Sequence, residues 1–346
     1  MNTMLSELTT MRLGGPAKAY EVVTTTDDLV SVVREADSAG QPVLLVGGGS
    51  NLVVGDQGFD GLVVRVASDG IRIDDEGMTL AAGVHWDTAV RLSLEAGMAG
   101  LETLSGIPGS AGGTPVQNVG AYGSLTSEFL ESVTVFDRHR NVVEVWGPEQ
   151  CGFGSHRQSV FKHSRRYVVL ELRLRLAKDV MSRPIKYDKL AEVLGVPVGT
   201  AAGAREVREA VLQLRTARGM VLDTDDHDTW SVGSFFINPV LPQVPEQAAE
   251  CPQYADPAGT KLSAAWLIDN AGFAPGYGRD WGRGTVGLSS KHALAVTNRG
   301  GATTAEVMSF AAHIRDGVEE VFGVRLGPEC DLVNCQFDGT PQSVSS

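Results

Sequence analysis

Two glycine clusters stand where a polypeptide could cradle an anion. Gly47-Gly48-Gly49-Ser50-Asn51 follows the apolar run 42–46, and successive backbone N–H groups in such a loop can converge on a phosphate. An ordinary glycine turn is an equal alternative for this loop taken alone. It is not a GxGxxG dinucleotide motif, because the spacing differs and residues 52–54 (Leu-Val-Val) read as strand rather than helix. It also lacks the Gly-Lys-Ser/Thr of a Walker A loop. The second cluster, IPGSAGGTPVQNVGAYG at 107–123, is seventeen residues with five glycines, a Gln-Asn pair and one tyrosine. A connection this long without structure of its own is usually functional. Glycines that admit a diphosphate, with side-chain amides to read a ring edge, are what a large nucleotide cofactor needs. Two such loops suggest one elongated ligand.

Single polar residues carry less. Glu329 in GPEC, Ser234 in GSFFINP and Arg157 in HRQSVFK read individually as a solvated acid, a turn hydroxyl and a solvated cation. His156, His163, His227 and His292 share no ligand spacing with another His, Cys or acid, so no metal site is expected. There is no GxSxG elbow. The four cysteines lack any CxxC pair and are too scattered for a disulfide framework; Cys330 and Cys335 read as small hydrophobes.

The loops need elements to hold them. Thr26 can cap a helix whose first turn holds Asp27 and Asp28, with Leu29, Val32, Val33 and Ala36 as its stripe and Gly40 at its end. With strands at 42–46 and 62–66 this makes a small βαββ unit. A second α/β block, about 70–205, holds a helix near 86–96, the long glycine loop and a strand at 133–136. Leu170, Leu172, Leu174 and Leu176 alternate there with Glu171, Arg173 and Arg175, the period of a half-buried strand. Val207, Ala210, Val211 and Leu214 mark one face of a further helix. A third block, about 220–325, contains the acidic loop DTDDHDTW and a proline-rich connection. Its last helix opens on the capping box Thr303/Glu306 and closes at Gly323.

Composition bounds the function. A chain of 346 residues suggests two to three domains. Its net charge of −13 argues against nucleic acid or an anionic membrane as partner. No run approaches 18 apolar residues, and the N-terminus has no basic-then-apolar leader, so a soluble cytoplasmic protein is expected. Nothing demands more than a monomer. The 41 glycines exceed the usual share of about 7%.

GGGSN-L, IPGSAGGTPVQNVGAYG, HRQSVFK, GSFFINP, KLSAAWLID and GPE, in this order over about residues 9–335, resemble the type I branch of the UDP-N-acetylenolpyruvoylglucosamine reductase (MurB) family. The resemblance implies an α+β chain with α/β-like subdomains. FAD would lie in a vanillyl-alcohol-oxidase, or PCMH-type, fold of two subdomains (1–67, with a strand at about 326–337 returning to it, and 68–218). A substrate domain of the MurB C-terminal type would occupy 219–325. It further implies non-covalent FAD on Gly47, Gly48, Gly49, Ser50, Asn51, Leu52, Gly109, Ser110, Gln117, Asn118, Gly120, Ala121, Tyr122 and Arg215. Arg157, Ser234 and Glu329 would be catalytic, and Tyr187, Arg218 and Asn238 would bind substrate. NADPH would reduce FAD, hydride would pass to the enolpyruvyl terminal carbon, Ser234 would protonate the α carbon, and Arg157 and an acid-form Glu329 would stabilise the charge between. The product, UDP-N-acetylmuramate, is a peptidoglycan precursor, which ties the activity to cell-wall biogenesis, cell shape, division and the cell cycle.

Departures from the family pattern are His156 for a tyrosine, Arg218 for a lysine and His292 for a glutamine. Residues 243–256 align poorly and carry no expected site. The alternatives are an alcohol or hydroxy-acid oxidase on the same fold and a non-catalytic nucleotide binder. The first often tethers FAD through His or Cys, which neither glycine loop contains, and the second needs neither Ser234 nor Glu329.

Overall fold

The computed structural model of the chain describes residues 3–154, 159–162 and 164–337. Its packing divides into two units.

The first unit comprises Ala19–Gly48 and Gly61–Ala217. Helix α1 (Thr26–Ser38) buries Leu29, Val30, Val33 and Ala36, with Val32 at the margin of the core. Its cap is Thr25 rather than the expected Thr26. Thr25 is the last extended residue, so its hydroxyl is the one that meets the open N–H of Asp28, at 3.1 Å. The helix belongs to a three-stranded sheet in the order Ala17–Val23, Phe59–Val66, Val43–Val46, the last two parallel. The strand Ala17–Val23 escapes the sequence pattern because only its two ends are buried.

A five-stranded antiparallel sheet follows, in the order Val142–Trp146, Leu130–Asp137, Tyr167–Arg175, Gly77–Ala81, Ile71–Ile73. The leucine alternation at 170–176 does not run unbroken along it. Thr134 pairs with Glu171 but Val135 pairs with Val169, which leaves Leu170 as an extra residue. Leu170 therefore packs with α1, whereas Leu172 and Leu174 pack with Trp86, Ala89 and Val90 of α2 (Trp86–Glu95). Helices α3 (Asp188–Leu194) and α4 (Ala204–Ala217) share a smaller core of Ile185, Leu190, Val207 and Val211.

The second unit comprises Met1–Lys18, Gly49–Asp60 and Arg218–Ser346. Its core gathers Phe235, Phe236, Leu267 and Ile268 of α5 (Ala264–Asn270), and Phe310, Ile314 and Val318 of α6 (Thr304–Phe322). The expected Thr303/Glu306 box opens α6, and Gly323 closes it at φ +65°. Asp56 adds a second cap by accepting from the N–H groups of Thr304 and Ala305, at 2.7 and 2.9 Å. The strand Leu52–Val54 runs parallel to Asp331–Val333 in the register Leu52–Asp331, Val53–Leu332, Val54–Val333. A hairpin (Val286–Leu288 with Val296–Asn298) and a three-stranded antiparallel sheet, with Gly259–Leu262 between Val240–Leu241 and Gln253–Asp256, complete the unit. No helix among the described residues is long and apolar enough to cross a membrane.

Asp137 closes the turn after its strand. Its buried carboxylate takes a forked pair of bonds from Arg166 and the N–H groups of His139 and Arg140. The Arg166 bonds outweigh desolvation and hold its pKa at about 2, against an ordinary 3.8. A depressed native pKa means the folded chain binds fewer protons than the unfolded chain in this range, so the stabilisation is present above about pH 4 and is lost as pH falls to about 2. Asp137→Asn should cost about 2–3 kcal/mol at pH 7. In denaturant titrations the gap from the parent should close between pH 4 and 2; a pH-independent gap would contradict the assignment.

Candidate functional site

In the first unit the two glycine loops meet backbone to backbone. A Cβ on Gly48 would lie 2.4 Å from the Cα of Gly109, and one on Gly47 would lie 2.2 Å from the Ser110 hydroxyl. Any side chain at Gly48 would therefore force the loops apart. The second loop is fixed at its start by backbone bonds to residues 82–86: Trp86 N–H to Gly109 O at 3.0 Å, Ala111 N–H to Val84 O and Gly112 N–H to Ala82 O, both at 2.8 Å. Contrary to the expected structureless loop, it holds a 3₁₀ turn (Ala111–Gly113) and a small hairpin. Gly120–Ala121 pairs with Ser124–Leu125 across Tyr122 and Gly123, both at positive φ (+50° and +86°), the geometry of a primed hairpin turn.

That hairpin gathers further predicted residues. Asn118 is 1% exposed and accepts from the N–H of Ser127 at 3.1 Å, and Gln117 is half-buried beside it. Tyr122 meets Tyr187 edge to face, with ring centroids 5.3 Å apart. A residue expected to contact the cofactor thus touches one expected to cover the substrate. Tyr187 is itself 37% exposed at the start of α3. After the second glycine loop, the Ser159 hydroxyl donates to Val116 O at 2.8 Å. His156 and Arg157 lie outside the described residues.

Arg215 sits half-buried in the last turn of α4. Seven residues earlier on the same face, Arg208 forms a forked pair with Asp87 on α2 at 2.7 and 2.8 Å, and Asp87 also accepts from Gly106 N–H at 2.6 Å. Burial alone would raise the Asp87 pKa, but these bonds outweigh it and leave the carboxyl below its ordinary range. Asp87 therefore fixes both α4 and the entrance of the second loop. Sequence reasoning missed this pair, since 121 residues separate the partners.

The remaining predicted residues lie in the second unit. Gly49 has φ +61°, and a Cβ there would lie 1.9 Å from Leu8 O. Its carbonyl accepts from Thr10 N–H at 3.1 Å, while the Thr10 hydroxyl donates to Ser231 O at 2.7 Å. Ser50 is half-buried, and Leu52 opens the strand that pairs with Asp331. Ser234 and Glu329, both half-buried, come together from opposite ends of the unit's sequence. Glu329 N–H donates to Phe235 O at 2.8 Å, Ile237 N–H to Gly327 O at 3.0 Å, and Phe236 bridges Pro328. Two residues on, Asp331 N–H donates to Asn51 O at 2.9 Å. Asn51, Ser234 and Glu329 are thereby laced into one neighbourhood. Asn238 sits further along, its side-chain oxygen held by Ala264 N–H at 2.9 Å, beside the Ser263 cap of α5. Arg218 is exposed just past α4.

The residues fit an anionic nucleotide. The buried amide nitrogen of Asn51 has no hydrogen-bond partner among the described residues, a cost of about 1–3 kcal/mol that an acceptor on a ligand would remove. Among the described residues no three His, Cys, Asp or Glu are placed to hold a metal. Burial pushes the thiols of Cys151 and Cys335 up to about 11, which leaves them inert as nucleophiles at neutral pH.

Comparison with known proteins agrees with this geometry. Residues 17–145 match an FAD binding domain. Residues 225–333 match the C-terminal domain of UDP-N-acetylenolpyruvoylglucosamine reductase. The reductase of Nocardia farcinica is 50% identical, covering 94% of this chain and 87% of its own. That of Saccharopolyspora erythraea is 48% identical, covering 96% and 94%. The crystal structure of the Thermus caldophilus enzyme superposes with a TM-score of 0.66 at 25% identity over 96% of this chain and 98% of that one.

If the glycine contact makes room for the cofactor, Gly48→Ala should weaken FAD binding about ten- to hundredfold, the equivalent of about 1–3 kcal/mol of forced loop displacement. Gly147→Ala, where a Cβ meets nothing within 4 Å, should keep parental affinity. Titration of the deflavinated proteins with FAD checks both; parental affinity in Gly48→Ala would contradict the packing argument.

Proposed function

The chain belongs to the UDP-N-acetylenolpyruvoylglucosamine reductase family, and from that premise we propose the roles of its residues in reducing UDP-N-acetylglucosamine enolpyruvate to UDP-N-acetylmuramate. The protein is an NADPH-dependent FAD enzyme, a UDP-N-acetylmuramate dehydrogenase. Near full-length likeness to named reductases decides against the alcohol or hydroxy-acid oxidase. Bound FAD supplies the two-electron chemistry between NADPH and the terminal carbon of the enolpyruvyl group.

The loops at Gly47–Leu52 and Gly109–Tyr122 hold the cofactor, glycine backbone against its diphosphate, with Asn51, Gln117, Asn118 and Arg215 as polar contacts. Hydride arriving at the terminal carbon leaves negative charge on the α carbon and its carboxylate. Arg157 and Glu329, the latter in its acid form, stabilise that charge, an effect worth about 3–4 kcal/mol for a fixed, oriented group. The Ser234 hydroxyl gives its proton to the α carbon; serine is a weak acid, but the developing carbanion is a strong base. Tyr187, Arg218 and Asn238 bind the substrate, with the Arg218 fork in place of a lysine's point charge. In this reading 1–67 and 68–218 carry the cofactor and 219–325 the substrate. The enzyme works as a cytoplasmic monomer, feeding peptidoglycan precursor synthesis and through it cell shape, division and the cell cycle. The observation that supports the assignment most is the Glu329–Phe235 backbone bond, which brings a hydroxyl and an acid 95 residues apart into one neighbourhood.

Ser234→Ala should therefore slow transfer from the reduced flavin to the enolpyruvyl substrate about 10²–10⁴-fold. Flavin reduction by NADPH should stay within about twofold of the parent, because no proton is delivered to carbon there. Anaerobic stopped-flow of the two half-reactions separates them; equal slowing of both, or of neither, would remove Ser234 from the proposed role.

A further inference from the structure

We propose that Asp228 is a positioning residue for Ser234, an inference that rests on the proton-donor reading above. Ser234 follows Gly233, which has φ +75° and nothing within 4 Å of a Cβ position. Gly233 N–H donates to the Ser231 hydroxyl at 3.1 Å, which ties Ser234 to the acidic loop's end on that side. On its other side Phe235 N–H donates to Leu294 O at 2.8 Å. Leu294 lies in the turn of the hairpin, and that turn closes on itself through Ser289 N–H to Ala295 O at 2.8 Å and Ala295 N–H to His292 O at 3.1 Å.

The outer side of the same turn is gripped by the acidic loop. Both carboxylate oxygens of Asp228 accept from Ser290 N–H at 3.1 Å, and the Ser290 hydroxyl donates to one of them. Asp226 pairs with Lys291 next to it. The loop is cross-linked within itself. The Thr229 hydroxyl bonds the carbonyls of Asp223 and Asp226 at 2.7 and 2.8 Å, and Asp228 N–H donates to the Asp226 carboxylate at 3.0 Å.

These bonds close a ring. The chain runs from Asp228 through Ser234 to Phe235, crosses to Leu294, returns to Ser290, and meets the Asp228 carboxylate again. Ser234 is held inside it. Opening the ring at Asp228 removes the Ser290 anchor from the turn that holds Phe235 and leaves Asp226–Lys291 as a remaining side-chain link between the acidic loop and that turn. Misplacement of a reacting group by about 1 Å can cost on the order of 10²-fold in rate.

The test is a double-mutant cycle on the flavo-enzyme, read in the separate half-reactions. Asp228→Ala should slow reoxidation of the reduced flavin by UDP-N-acetylglucosamine enolpyruvate about ten- to hundredfold. It should leave flavin reduction by NADPH and the substrate's KM within about threefold. Asp228→Asn, which keeps one acceptor oxygen, should fall between Asp228→Ala and the parent. Ser290→Ala, which removes only the hydroxyl arm, should show the same split more weakly and guards against an Asp228 variant that fails to fold. Amide exchange at Phe235 should quicken in all three. On a Ser234→Ala background Asp228→Ala should add less than about twofold, because there is no hydroxyl left to position. Equal slowing on both backgrounds, slowing of both half-reactions alike, or no slowing at all would overturn the proposal while leaving the Ser234 assignment standing. A Ser234→Ala variant that itself reoxidises normally would remove that assignment, and this inference with it.

Discussion

Residues 327–333 link two parts of the second unit in succession. At the start Glu329 and the carbonyl of Gly327 pair with Phe235 and Ile237; further on, Asp331–Val333 lies in parallel register with Leu52–Val54, framed by Asp331 N–H to Asn51 O and Gly55 N–H to Val333 O. A slip of one residue in the strand Asp331–Val333 would reverse its side chains, and the bonds of Gly327 and Glu329 just before it hold its start in place. Cys330, Val333 and Phe337 enter the core, which fixes the register from the apolar side.

The two glycine loops obey a different constraint, that of space. At Gly47, Gly48 and Gly49 a single carbon atom would collide with Ser110, Gly109 and Leu8 in turn. Glycine gives up backbone entropy on folding, so retaining it here only makes sense where close approach is required. The Asp87–Arg208 pair and the backbone bonds of residues 109–112 to 82–86 then keep the second loop in place.

Local patterns were legible in the sequence where local physics decides. The α6 box at Thr303 and Glu306 is found as expected, because both partners lie within one helical turn. Thr25 displaced Thr26 as a cap through a one-residue difference in where extended backbone ends. The bulge at Leu170 could not be read, since it arises from pairing with Thr134 and Val135 far away in sequence. The same holds at the site. Ser234 and Glu329 look like ordinary surface polar residues until family resemblance singles them out, and only folding makes them neighbours. Asp87, Arg208, Thr10 and Asp228 left no local signal, because their roles depend on partners more than 60 residues away.

The most direct measurement of the central claim is an anaerobic cycle followed by visible absorbance. The purified protein, bleached with NADPH and then mixed with UDP-N-acetylglucosamine enolpyruvate in the absence of oxygen, should recover its oxidised flavin spectrum rapidly and yield UDP-N-acetylmuramate. A protein that bleaches but recovers only when air is admitted, or one that takes up no FAD, would contradict the account.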